Sequence, residues 1–218
     1  MTRLEYLKNI WQPKLLDKNF RTKFFISSFL LLIILLSLAK FLEYNETRTG
    51  FSFNDPILIL FKPIDITWLT FVLIYSGVVV ILVHLTFHPD NFLIAIQAYS
   101  LTALLRLITI FLLPLNAPVT IIPLKDPIVE FFGGGNTLLR DLFFSGHTAT
   151  MFVFFLAAKN RKLKIIFLIS TVLVGLFVLI QHVHYTIDVI AAPFFAYTSY
   201  RIIIILNRKL DKQNYRIK

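Results

Sequence analysis

The chain has 218 residues, is 57% hydrophobic, contains 23 Phe and carries a net charge of +10. Several windows of about 20 residues hold few or no charges, which excludes a water-soluble globular domain and points to an integral membrane protein. There is no Cys, so disulfides, thiolate chemistry and Cys-based metal sites are excluded. The positive charge clusters at the ends of apolar segments. It therefore reads as a topology signal, and no nucleic-acid partner is expected.

Residues 1–23 are basic, with Trp11 and Phe20 placed to lie at an interface, as in an amphipathic surface helix. The apolar run that follows is too long for a cleavable signal and lacks a small-residue cleavage site. The first span is expected over 24–42, with Lys40 snorkelling at its end. Residues 43–66 read as a loop. Its apolar insert at 57–61, between Pro56 and Pro63, is too short to cross and suits a re-entrant or interfacial piece.

The second span is expected over 67–87, followed by a tight turn at 88–90. The third covers 91–113 and carries Arg106 inside it. Residues 114–139 hold Pro114, Pro118, Pro123 and Pro127 with the triplet Gly133, Gly134 and Gly135, so no continuous helix can run through them. Further spans are expected over 141–158, 165–181 and 186–206, the last kinked at Pro193. The pattern predicts an all-α polytopic protein with a bundle of six transmembrane helices. Residues 1–23 would be a basic cytoplasmic segment, 24–206 a membrane catalytic domain and 207–218 a basic cytoplasmic tail.

The positive-inside rule orients this bundle. With a cytoplasmic N-terminus, the inner segments hold Arg3, Lys8, Lys14, Lys18, Arg21, Lys23 and the cations at 159–164 and 208–218. The outer segments hold Arg48, Lys62, Lys125 and Arg140. Arg106, His147 and His184 then fall toward the outer, non-cytoplasmic face.

Two stretches carry candidate chemistry. In Gln181 to Val189, His184 and Asp188 stand at i and i+4, on one helix face and within hydrogen-bonding reach. A carboxylate that accepts from one ring nitrogen leaves the other free as nucleophile or base. In Ser145-Gly146-His147-Thr148 a second imidazole stands at a helix start. Free N–H groups and the positive dipole end of a helix favour phosphate there. Arg106 and Arg140 can add charge, and an Arg inside a span should line a cavity or find a partner. One imidazole could attack phosphorus while the other protonates the departing oxygen.

The runs Asp141 to Thr148 (DLFFSGHT) and His184 to Val189 (HYTIDV) resemble the two signature segments of the sphingomyelin synthase-like family, within the type 2 phosphatidic acid phosphatase superfamily. Arg106, followed by Leu113, Pro114 and Pro118, loosely resembles an upstream family segment. The resemblance implies a six-helix bundle and a phospho-His intermediate, with no metal and no cofactor. It makes His184 the nucleophile, Asp188 its orienting partner and His147 the general acid and base. Arg106, Arg140, Asp141, Ser145, Gly146 and Tyr185 become candidates for substrate binding.

Simpler readings stand beside some of these. Asp141 could complement a helix dipole, and Tyr185 could be an interfacial aromatic. His182 and the pair His84 and His88 read as hydrogen-bonded interfacial groups. The sequon at Asn45 has meaning only in a secretory pathway. A metal held by His182, His184 and Asp188 is a weaker alternative, because residues two apart on a helix do not share a face.

The chain departs from the superfamily at Phe144, where Pro is usual, and at Phe177 and Val178, where a Ser-Arg pair is usual. Arg140 stands where the sphingomyelin synthase-like branch has Gly. The implied function is transfer of a phospho-alcohol headgroup from a membrane phospholipid donor to a ceramide-like or diacylglycerol acceptor. A lipid phosphatase and a non-catalytic lipid-binding or transport protein are the alternatives.

Overall fold

The structure, a computed structural model, describes residues 2–125 and 138–216, with side chains described as far as residue 210. The glycine triplet and Pro127 lie outside the described residues. Every regular element among the described residues is a helix.

Helix α1 (Arg3–Leu16) opens on a capping box, in which Thr2 accepts from Glu5 N–H and Glu5 accepts from Thr2 N–H. Asp17 ends α1 and caps α2 (Lys18–Asn45) by accepting from Asn19 N–H. The basic N-terminal segment is thus broken at Asp17, and the first span starts before residue 24. Helix α1 buries none of its own residues. It docks through Trp11, whose Nε1 donates to Thr86 O at 2.7 Å, and through a 2.6 Å pair between Lys14 and Asp90.

A single 3-10 turn (Leu58–Leu60) interrupts the loop that leads to α3 (Thr67–Thr86). Helix α4 (Pro89–Leu112) follows almost at once, with Pro89 in its first turn. The turn expected at 88–90 is therefore a helix start, where a missing N–H is harmless and the fixed φ is an advantage. Then come α5 (Gly146–Ala157), α6 (Arg161–Ile180) and α7 (Thr186–Arg216). Helix α7 runs through residue 206 without a break, so the basic tail begins as helix. Its Arg, Lys, Leu and Gln are good helix formers.

Helices α2, α3, α4, α6 and α7 are long and apolar enough to cross a membrane. The sixth apolar helix, α5, has 12 residues. At roughly 1.5 Å per residue it measures about 18 Å, short of the ~30 Å hydrocarbon core. The span expected over 141–158 is thus helical only from Gly146. Phe143 and Phe144 explain the late start, with left-handed φ of 65° and 38°. A proline, locked near −65°, could not adopt the backbone of Phe144. Irregular backbone at membrane depth must be enclosed by protein, and Leu142, Phe144 and Ser145 are buried.

Helices α4 and α5 lie at the centre. Helix α4 packs on α2, α7 and α5, and α5 packs on α6, α7 and α4. One core joins Ile74, Ile81, Met151, Phe167 and Val174 across α3, α5 and α6. Another joins Phe144, Ala149 and Val153 to Ala192 and Ala196 of α7. A third seats Leu38 and Leu42 of α2 on Ala103 and Ile110 of α4. Outward, α2 shows Phe25, Phe29 and Leu36, α3 shows Leu69 and Val83, and α6 shows Ile166 and Val172. Such an apolar girdle needs lipid around it.

Candidate active site

The chain between α6 and α7 carries the first imidazole of the site, and its path follows from how α6 ends. Gln181 closes the helix, and His182 takes a left-handed φ of 56°. His182 N–H donates to Leu179 O and Val183 N–H donates to Val178 O, both at 2.9 Å. This is a Schellman ending, with His182 where glycine is usual. The reversal buries His182 and returns His184 to the bundle interior.

His184 is 1% exposed and Asp188 fully buried. His184 Nδ1 lies 3.3 Å from Asp188 Oδ2, which also accepts from Tyr185 N–H at 3.1 Å. A carboxylate only accepts, so Nδ1 carries the proton and Nε2 keeps the lone pair. The expected pair forms across the start of α7 rather than on one helix face, since Asp188 lies in the first turn and His184 two residues before the helix. Asp188 Oδ1 is buried and accepts no hydrogen bond among the described residues. Asp188 also ties α7 to α5, since its carbonyl accepts from Ser145 N–H at 2.9 Å.

His184 lines a cavity of about 540 Å³ together with His147, Gly146, Arg106 and Asp141. His147 is the second residue of α5, edge-on to Phe71 of α3 at 6.1 Å. Arg106 reaches across from α4 and pairs with Asp141 at 2.5 Å. Gly146 is what lets it lie there, because a Cβ at this position would run into the guanidinium. Much of the rest of the wall is apolar, though Glu43, Thr102 and Thr150 also line it. Leu32, Leu35, Leu36, Ala39 and Leu42 of α2 form one side, and Ile74 and Val78 of α3 another. A polar end with two imidazoles and a cation thus opens onto a long apolar wall.

Other candidates from the sequence stand elsewhere. Arg140 is absent from the described cavity lining. Its guanidinium donates to the carbonyls of Glu46 and Arg48, while Glu46 Oε1 accepts from Leu139 and Arg140 N–H. Tyr185 packs with Leu58, Leu115 and Leu142, stacks on Phe53 at 3.9 Å and donates its hydroxyl to Asn116 O. Burial pushes its phenol up from the ordinary value. Ser145 caps α5, accepting from Thr148 N–H. Asn45 is buried, and its amide donates to Arg140 O.

His182 Nδ1 lies 2.6 Å from Thr120 Oγ1, with the ring edge-on to Phe61. Burial pushes this imidazole down, against the opposing pull of the Asp55 charge. Among the described residues, no group of three or more His, Asp or Glu side chains could hold a metal ion. Lys125, read in the sequence only as a loop cation, lines the cavity. Its place among Pro-rich residues carries no periodicity that could have pointed to the site.

Residues 140–205 match the PAP2 superfamily C-terminal family. The match covers α5, α6 and most of α7, and so includes His147, His184 and Asp188. Arg106 and the whole of α1 to α4 lie outside it. No curated protein and no solved structure matches the chain. The PAP2 likeness, together with the apolar helices, supports a membrane protein of the lipid phosphatase or phosphotransferase type.

Proposed function

We propose that the protein is a lipid phosphotransferase that moves a phospho-alcohol headgroup from a glycerophospholipid to a ceramide-like or diacylglycerol acceptor through a phospho-His intermediate. The observation that carries the reading is the buried His184–Asp188 pair. Its His184 lines a cavity shared with His147 and Arg106 and walled by α2 leucines. Lipid binding alone needs no such nucleophile and base.

In the first step His184 Nε2 attacks the donor phosphorus. The N–P bond forms as the bond to the lipid oxygen breaks, and His147 gives its proton to that oxygen. Asp188 holds the ring and stabilises the imidazolium that develops. In the second step His147 takes the proton of the acceptor hydroxyl, whose oxygen attacks phosphorus as the N–P bond breaks. His147 is protonated again and His184 is free. Arg106 and Lys125 offset phosphoryl charge, and the apolar wall accommodates acyl chains.

Charge balance favours a diester donor. A phosphomonoester dianion calls for several cations. Among the described lining residues, the cavity has Arg106 and Lys125, and Arg106 already has Asp141 beside it. Val178, at a position where the superfamily has a Ser-Arg pair, is buried. The PAP2 match itself keeps a lipid phosphatase, with water as acceptor, as the second reading.

The test uses purified protein in vesicles containing a diester phospholipid, with and without diacylglycerol or ceramide, and products read by mass spectrometry. Headgroup transfer is expected, and the added lipid alcohol should speed donor consumption. His184→Ala should abolish it and Asp188→Asn should lower it severely. His182→Asn, which tolerates the left-handed backbone, should keep most of it, and a chelator should have no effect. Release of inorganic phosphate from phosphatidic acid, indifferent to lipid alcohol and faster than any diester turnover, would establish the phosphatase reading instead.

A further inference from the structure

Two carboxylates are buried among the described residues, Asp55 and Asp188, and both are bonded to the start of α7. Asp188 takes Tyr185 N–H. Asp55, from the loop between α2 and α3, takes Thr186 N–H on Oδ2 at 2.6 Å and the Thr186 hydroxyl on Oδ1 at 3.0 Å. Its Oδ1 also accepts from Ile57 N–H at 2.9 Å, so the carboxylate joins the 3-10 turn to the helix start. Burial raises the Asp55 carboxyl, but these hydrogen bonds outweigh that and hold it below its ordinary value. It is a carboxylate at neutral pH.

The first N–H groups of a helix have no partner within it. In the same turn of α7 stands Asp188, whose Oδ2 is placed on His184 Nδ1 and Tyr185 N–H. Turning Asp188 toward Thr186 would take Oδ2 from His184 Nδ1. Asp55 instead accepts both Thr186 donors. The same loop brackets the His184 segment at its other end, where Ile64 N–H donates to Ile180 O and Ile66 N–H to the Gln181 side chain. Asp55 is absent from the described cavity lining.

We infer that Asp55 is a positioning residue for the His184–Asp188 pair: by accepting both Thr186 donors, it leaves the Asp188 carboxylate to His184 and fixes the turn that presents His184 to the cavity. The inference rests on His184 being the nucleophile of the proposed transfer. Loss of the Asp55 charge should act on the chemical step rather than on donor binding.

The experiment compares the full-length protein with Asp55→Asn, Asp188→Asn and the double variant in the vesicle assay, and follows backbone hydrogen exchange over 181–190. Asp55→Asn should lower kcat by about tenfold to a hundredfold, the scale of a small misplacement at a reacting centre, and leave the donor KM within about twofold. The double variant should be little slower than Asp188→Asn alone, because residues acting as one unit are not additive. Thr186→Ser should keep activity, and Thr186→Val should lose part of it. Exchange should quicken at 185–186 while the other helices keep their protection.

Multiplicative effects in the double variant, a raised KM with kcat intact, or a rate loss matched by loss of folded protein would overturn the inference. The exchange arm is independent of turnover. If the parent protein transfers no headgroup, the functional reading fails by itself. Unchanged exchange at 185–186 would then overturn the positioning claim separately.

Discussion

Gly146 shows how one missing methyl group builds the site. The Arg106 guanidinium occupies the space a side chain would take, held there by Asp141. Gly146→Ala should therefore push Arg106 off the start of α5 while leaving the helix intact, since Ala is the better helix former. The expected result is a loss of about ten- to a hundredfold in transfer rate, the scale set by small misplacements at a reacting centre, with Tm within a few degrees. Steady-state assay and thermal denaturation in detergent check both; full activity would show that Arg106 has no part in the reaction. At this scale the sequence was readable where chemistry is local. His184 and Asp188 meet across the start of α7, four residues apart, with Asp188 in the first turn and His184 just before it. Arg106 was conspicuous because a guanidinium inside a span needs a partner. The identity of that partner was not readable, since Asp141 serves equally well on paper as a dipole complement.

Arg140 belongs to the scale of elements. Its cation gathers the carbonyls of Glu46 and Arg48, and its carbonyl accepts from Asn45, so the end of α2 is sewn to the approach to α5. Arg140→Gln is expected to cost about 1.5–3 kcal/mol of stability, the value of a hydrogen bond to a charged group, with kcat little changed. A Tm series alongside the transfer assay separates the two; a collapse of kcat at unchanged Tm would return Arg140 to the site. The five long helices were legible because each is a run of apolar residues between polar or proline breaks. The late start of α5 was not. It depends on left-handed backbone at Phe143 and Phe144, residues whose type favours neither that conformation nor a helix stop. Nor was the Schellman ending at His182, because glycine is its usual signal. The hold of Asp55 on α7 joins distant segments, and no periodicity in the sequence encodes such a contact.

At the scale of the whole molecule, the structure sorts the connecting segments into two ends. At one end α1 docks by Trp11 and Lys14 on the α3–α4 link, and Lys159 N–H donates to His84 in α3. At the other end the α2–α3 loop, the chain after α4, the approach to α5 and the His184 segment are bonded together. The first end holds Lys8, Lys14, Lys18, Lys159 and Arg161. The second holds few cations, and Arg48 and Arg140 among them are engaged on backbone carbonyls. A bias this strong sets the orientation of a short-looped bundle, so the first end should be cytoplasmic and the His184 end outside. The absence of Cys makes the test direct. Val119, 98% exposed beside the His184 segment, and Lys162, exposed at the start of α6, are each replaced by Cys in sealed cells. A membrane-impermeant maleimide should label Val119→Cys at once and Lys162→Cys only after permeabilisation. The reverse pattern would place the cavity on the cytoplasmic face, and the donor would then have to come from the inner leaflet.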